Sequence, residues 1–330
     1  MVERIIILGG GIAGISAKWR NRRGLLIDEN PYLTMAPRIM DVISGRSPDY
    51  PLIPRSLDYT GSVQSIDFEN RKVHLRNKDI NYDRLIIALG HSQDYSFIKG
   101  SKYVHGFSGY ADAMALRNEM VHKKHIVIIG GGYLGVELAG AIGGNRVTVL
   151  EGGKQILGGL PSKFAKTASE LLSSSGVDIE LESPVEEVRK DRVITAGKSY
   201  ESDLTLFAGG FIGNLPETVQ DITTKNSRVA VNSYLQSLDY PDVYAAGDTM
   251  SVENGGFVPM SAIIARSSGI TAMENAMGFR KQFRPSNFAN IMRVGKNYFG
   301  TVGNTFVQGI SARLIKEAAV ALTVNRAREI

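Results

Sequence analysis

The chain has 330 residues, 43% hydrophobic and 22% charged, an ordinary globular composition with enough length for two or three domains. Its 0 cysteines exclude a redox-active dithiol, a thiolate nucleophile, a thiolate metal site and an iron–sulfur cluster. Charge is uneven: from Ala276 onward nine Lys/Arg stand against Glu317 and Glu329, a local +7 within a total of +5, so the remainder carries −2.

In chain order, Ile5-Ile6-Ile7-Leu8 reads as a buried parallel strand, and Gly9-Gly10-Gly11-Ile12-Ala13-Gly14 follows at once before a helical stretch. Gly9 permits the turn, Gly11 lets the backbone approach a pyrophosphate, and Gly14 lets the helix pack close to the strand. Phosphates would sit at the helix N-terminus, where free N–H groups and the helix dipole favour negative charge. The strand Leu25-Leu26-Ile27 ends in Asp28, nineteen residues after Gly9, placed to accept hydrogen bonds from a ribose. The device recurs in Ile126–Ile129, Gly130-Gly131-Gly132-Tyr133-Leu134-Gly135 and Val147–Leu150, ending in Glu151, twenty-one residues after Gly130. An acid there accepts from a 2′-hydroxyl and repels a 2′-phosphate, which predicts NADH over NADPH; Lys154 nearby opposes that preference.

The paired motifs, with Glu137 and Ala139 extending the second, resemble the two-dinucleotide-binding flavoprotein oxidoreductases. The resemblance implies an α/β fold with two Rossmann-like dinucleotide-binding domains, one for FAD and one for NAD, and a small C-terminal α+β segment. Leu85-Ile86-Ile87-Ala88-Leu89-Gly90 resembles the family's exit from the FAD domain, with Leu89 in place of the usual Thr. Leu206-Phe207-Ala208-Gly209-Gly210 resembles the exit from the NADH domain, and Val243-Tyr244-Ala245-Ala246-Gly247-Asp248 the second FAD signature. By this resemblance Gly9, Gly11, Ala13, Gly14, Asp28, Val63, Ala88, Gly90, Gly247 and Asp248 bind FAD, while Gly130, Gly132, Gly135, Glu151 and Gly210 bind NADH. Glu137 would lie close to flavin and nicotinamide as the catalytic candidate, with a hydrogen-bonded helix residue as its plain alternative. The expected boundaries are 1–108 plus 238–275 for the FAD domain, 109–237 for the NADH domain and 276–330 for the C-terminal segment.

Without cysteine, the closest resemblance is to type II NADH:quinone oxidoreductases, carried by Leu33–Leu57 and Ser62–Asp67. It implies transfer of a hydride from NADH to FAD, then of electrons to a quinone. At the family's A-Q-x-A-x-Q run this chain reads Ala262-Ile263-Ile264-Ala265-Arg266-Ser267, both glutamines being replaced. That departure keeps two alternatives open: an NADH-dependent reductase of a soluble acceptor such as ferredoxin or rubredoxin, and a flavin-binding sensor or assembly protein without turnover. Strands are expected at Ile291–Val294 and Tyr298–Val302, then a helix whose apolar stripe is Ile310, Leu314, Ala318, Ala321 and Leu322, with Arg313, Lys316 and Thr323 opposite. The stripe is expected to dock on the protein's own body, with an interfacial membrane helix or a homodimer contact as alternatives. The basic segment suggests peripheral association with an anionic membrane face, or a solvated surface without a partner. His122 and His125 read as a solvated lead-in, so no metal is expected, and nucleic acid is not an expected partner. With no apolar leader and no apolar run near the ~18 residues of a membrane span, the expected location is cytoplasmic.

Overall fold

Strands with apolar residues on both faces need cover on both sides, and a parallel sheet between helices supplies it. The computed structural model describes residues 3–143, 145–253, 255–256, 258–286 and 288–330. In it Ile5–Leu8 is the central strand of a five-stranded parallel sheet ordered 243–245, 84–87, 5–8, 25–28, 59–60. Ile6, Ile7 and Leu8 are fully buried there. A second five-stranded parallel sheet, ordered 104–105, 204–207, 125–129, 146–150, 177–180, has His125–Ile129 at its centre. The helices are α1 (Ile12–Arg20), α2 (Ala36–Ile43), α3 (Tyr110–Glu119), α4 (Tyr133–Ala141), α5 (Ser162–Ser174), α6 (Ala262–Ala276) and α7 (Ile310–Glu329). α1 and α4 each leave the central strand of their sheet, so both glycine turns lie where neighbouring strands diverge, the usual place for a ligand in open α/β sheets. The fold is α/β, with two dinucleotide-binding units and a small C-terminal α+β segment.

The strand before each turn is held by its partners' registers. Ile6 pairs with Leu25 and Leu85, and Ile128 with Val149 and Leu206. α6 returns across α1 at its closest point, where a Cβ on Gly269 would overlap the Ala13 carbonyl oxygen. Only a residue without a side chain lets the two backbones approach so far.

The C-terminal segment is a three-stranded antiparallel sheet, Ala289–Val294, Asn297–Val302 and Thr305–Gln308, followed by α7. The third strand was not expected. Its signal was Gly303-Asn304: Gly295 (φ 57°) and Gly303 (φ 55°) each open a two-residue hairpin loop whose backbone matches strand twist. Phe299 and Phe306 pack against Phe164 of α5 at ring distances of 5.9 and 5.8 Å, which seats this sheet on the second unit.

α7 corrects one expectation. It does dock on the body, but through Ala312, Val324 and Ala327, while Ile310, Leu314, Ala318, Ala321 and Leu322 face outward. Two physical reasons select that face. The small Ala312 and Ala327 permit close approach, with Val324 and Ala327 packing near Ile15, Leu33 and Ile53. Lys316, read as part of the polar outer face, turns inward to an ion pair with Glu137.

Gly269→Val should force α1 and α6 apart and cost roughly 1–3 kcal/mol, the usual cost of overpacking. Urea denaturation should show a lower midpoint with an unchanged slope, and an unchanged midpoint would contradict the crossing described.

Candidate functional site

Each glycine turn is built by the same three contacts. Gly9 (φ 92°) lies against the Ala88 carbonyl so closely that a Cβ would overlap it, and Gly130 (φ 106°) is placed likewise, where a Cβ would stand 2.7 Å from the Ala208 oxygen. The strands ending in Ala88 and Ala208 thus form the floors of the two turns. A Cβ on Gly14 would overlap the Gly9 carbonyl oxygen, and one on Gly135 that of Gly130. The third glycine of each motif therefore relieves a clash with its own turn more than with the strand. Gly11 and Gly132 differ: nothing lies within 4 Å of where their Cβ would stand. Both are the N-caps of their helices and neither cap makes a side-chain bond, so the first amides of α1 and α4 face open space.

The two acids brace the turns. Asp28 Oδ2 accepts from the Gly10 amide at 2.6 Å, and Oδ1 from the Asn30 amide at 2.8 Å. Glu151 Oε2 accepts from the Gly131 amide and Oε1 from the Gly153 amide, both at 2.7 Å. A carboxylate has about four acceptor positions, so these bonds leave room for ribose hydroxyls. Asp28 also pairs with Arg55 at 3.1 Å. That side chain is buried over Gly10 and donates to the Asn30 carbonyl at 2.8 Å. Burial draws the Arg55 guanidinium below its ordinary value, and the charge of Asp28 opposes the shift.

A cavity of about 900 Å³ runs from the first turn toward α4. Gly9, Gly11, Ala13 and Asp28 line one end; Val63, Ala88, Gly90, Gly247 and Asp248 continue the wall. Gly14 stands behind that wall, beneath the turn. Glu137 and Tyr133 close the far end. Burial pushes the Tyr133 hydroxyl up to about 12, with Asn290 opposing and Glu137 adding to the shift. Gly130, Gly132 and Gly135 form their own turn outside this lining, braced by Glu151, and Gly210 follows Ala208 and Gly209, against which that turn rests.

Asp248 Oδ1 is buried with no partner among the described residues, whereas Oδ2 bonds His91 Nδ1 at 2.7 Å. An orphaned carboxylate oxygen in the cavity wall, bare helix amides at Gly11 and an elongated cavity together suit FAD: pyrophosphate at the amides, a hydroxylated chain at Asp248.

Glu137 Oε1 accepts from Lys316 Nζ at 2.6 Å and from the Arg293 amide at 3.1 Å. Arg293 in turn pairs with Asp41 of α2 at 2.5 Å. The catalytic candidate thus lines the cavity, with one oxygen held by the C-terminal segment.

Three residues, Arg55, His91 and Arg228, carried no expectation from the sequence, and Lys316 was expected on the outer face. Arg228 belongs to a strand, Arg228–Val231, whose four residues are all buried, so a cation in that apolar run was the available signal. For His91 the signal was its position directly after Gly90. In α6, Ala262 and Ala265 line the cavity and Ser267 bonds its own helix at Ile264, so no amide side chain from that run enters it.

Comparison with known proteins agrees with this architecture. The family model described as pyridine nucleotide-disulphide oxidoreductase matches residues 3–269. Demethylphylloquinone reductase NdbB of Synechocystis sp. is 27% identical over 291 residues, covering 74% of this chain and 71% of that protein. An NADH oxidase of Lactococcus lactis subsp. cremoris is 25% identical over 316 residues, covering 83% of this chain and 71% of that one. The structure of NDH2 from Plasmodium falciparum in complex with NADH superposes with a TM-score of 0.85 over 99% of this chain and 96% of that one; at 15% identity this is a likeness of fold.

The contrast between two glycines is directly testable. Gly11→Val should leave the apoprotein's melting temperature near that of the parent, since its Cβ meets nothing, yet abolish bound flavin absorbance. Gly14→Val should lower the melting temperature of the apoprotein itself.

Proposed function

Because this chain belongs to the pyridine nucleotide-disulphide oxidoreductase family, and is an FAD-dependent NAD(P)H oxidoreductase, we propose that it acts as an NADH dehydrogenase whose acceptor is a quinone. When bound, FAD supplies acceptance of two electrons from the nicotinamide and their delivery onward. The observation that carries the reading is the single cavity in which the first glycine turn, the orphaned Asp248 oxygen and Glu137 converge. With 0 cysteines, the disulphide chemistry in the family's description has no residue to perform it here, so electrons must pass directly to an acceptor.

The residues have separable tasks. The α1 amides above Gly11 hold pyrophosphate, Asp28 holds the adenosine ribose, and Asp248 Oδ1 accepts from the flavin side chain. Gly130, Gly132 and Gly135 shape the NADH turn, Glu151 receives the 2′-hydroxyl, and Gly210 gives the chain its exit past the nicotinamide. Glu137, held by Lys316, positions the nicotinamide end of the cavity. In this reading 1–108 with 238–275 carry FAD, 109–237 carry NADH, and 276–330 close the site and face the acceptor.

The quinone reductase among the relatives supports a quinone acceptor, and so does the outer face of α7. Ile310, Leu314 and Leu322 are 78%, 60% and 54% exposed on a segment of net +7. Apolar side chains on a basic segment suit the surface of an anionic bilayer, where a quinone resides. Among the described residues no helix is long and apolar enough to cross a membrane. A soluble carrier protein is the second reading, favoured by Ile263 and Ser267 where glutamines would flank a quinone headgroup.

Anaerobic stopped-flow should show flavin bleaching by NADH, then faster reoxidation by a water-soluble quinone than by ferredoxin; the reverse order would replace the acceptor. Glu151→Ala should narrow the NADH-over-NADPH preference about tenfold or more, the loss expected from one hydrogen bond to a charged group, without changing FAD content. In flotation assays the protein should bind anionic vesicles at low salt and leave them at high salt, because screening shortens the attraction to roughly 8 Å at physiological ionic strength. A dimer in solution that ignores vesicles would instead give the α7 face to a second copy.

A further inference from the structure

We propose that His91 is a proton relay for the acceptor step, oriented by Asp248 and connecting solvent with the flavin cavity. The inference rests on the oxidoreductase reading above and assigns a residue that the reading leaves without a task.

His91 follows Gly90 on the short strand His91–Ser92, which pairs antiparallel with Ile212–Gly213 where the segments that follow strands 84–87 and 204–207 cross. Its Nδ1 lies 2.7 Å from Asp248 Oδ2. An ionised carboxylate only accepts, so Nδ1 carries the hydrogen, and in the neutral ring Nε2 is left as a lone pair. No group among the described residues bonds Nε2. The Phe211 ring lies against the imidazole at 4.1 Å and fixes its plane. The side chain is 28% exposed and lines the open cavity, so water and a molecule in that cavity can both reach the ring.

The charges around this pair suit the task. Asp248 faces the ring directly. Beneath it Arg228, 6% exposed, is fastened by one bond to the Val258 carbonyl at 3.0 Å, and its Nε and Nη2 have no partner among the described residues. Burial draws the Arg228 guanidinium down, and the charge of Asp248 opposes that shift, so the two are electrostatically linked. Phe211, Asn214 and Thr249, the other neighbours of this crossing, do not titrate near neutral pH. Asp248 therefore bonds a ring whose positive form it can stabilise and feels the charge of the buried Arg228, the arrangement of an orienting carboxylate behind a general acid–base.

The overall reaction requires such a path. For a quinone Q the balance is NADH + H⁺ + Q → NAD⁺ + QH₂. NADH supplies two electrons and one proton as a hydride, and the second proton must come from water. His91 Nε2 takes that proton from solvent, giving an imidazolium held by Asp248, and releases it to the reduced quinone oxygen in the cavity. The ring returns to its neutral Nδ1–H form.

The test uses the FAD-loaded protein and its His91→Asn and His91→Gln variants, whose amides can still donate to Asp248. Quinone reduction should slow roughly 10- to 100-fold, the lower part of the range for general acid–base groups. It should also lose its solvent deuterium effect. Flavin reduction by NADH, which consumes no solvent proton, should slow by far less than quinone reduction does and keep its parental solvent deuterium effect. Added imidazole should restore quinone reduction in His91→Ala. Nitrogen-15 NMR of the unmodified protein, with His91 assigned by difference from the variant, should show the Nδ1–H tautomer. An Nε2–H tautomer, or variants whose quinone reduction keeps the parental deuterium effect, would overturn the relay. Flavin that NADH cannot reduce in the parent would instead overturn the oxidoreductase reading, so the two failures are distinguishable.

Discussion

The structure depends on one steric constraint, met twice: a backbone turn pressed so closely against a neighbouring strand end that no side chain fits between them. Gly9 rests on Ala88 and Gly130 on Ala208, and in each turn the third glycine sits beneath the first one's carbonyl. These contacts place α1 and α4 with uncapped amide ends toward open space beyond the centre of a parallel sheet. Everything chemical follows from that placement. Asp28 and Glu151 reach back to the second glycine's amide, which holds each carboxylate at the rim of a site instead of in solvent.

The remaining polar groups are organised around the cavity that the first turn creates. Arg55 covers Gly10 beside Asp28, His91 bonds Asp248, and the buried Arg228 feels the charge of Asp248. Each is a cation or potential cation whose charge acts on a carboxylate lining the cavity. Burying such charges without partners would cost several kcal/mol per group, so their presence makes sense as a wall prepared for a polar ligand.

The C-terminal segment joins the two units by charge and by apolar contact. Phe299 and Phe306 pack on α5, Val324 and Ala327 pack near α1, and Lys316 and Arg293 tie Glu137 to Asp41. A change in how α7 sits would therefore reach the Glu137 end of the cavity through Lys316. The outward apolar row of α7 and its inward lysine are two faces of one helix, which links whatever covers the outside to the electrostatics within.

The sequence by itself determined the features that depend on consecutive backbone: the apolar strands, both glycine turns, the acids nineteen and twenty-one residues beyond them, and two of the three C-terminal strands. Turn geometry, strand burial and helix starts are local properties, and their residue requirements can be read from a short window. Tertiary structure alone decided which side chains meet. His91 and Asp248 are 157 residues apart, and Glu137 and Lys316 are 179 apart. The inward face of α7 was also its decision, since the most apolar stripe lost to two alanines and a lysine that fitted the surface beneath. Periodicity describes a helix's own amphipathicity, but the shape and charge of the surface it meets determine which face is buried.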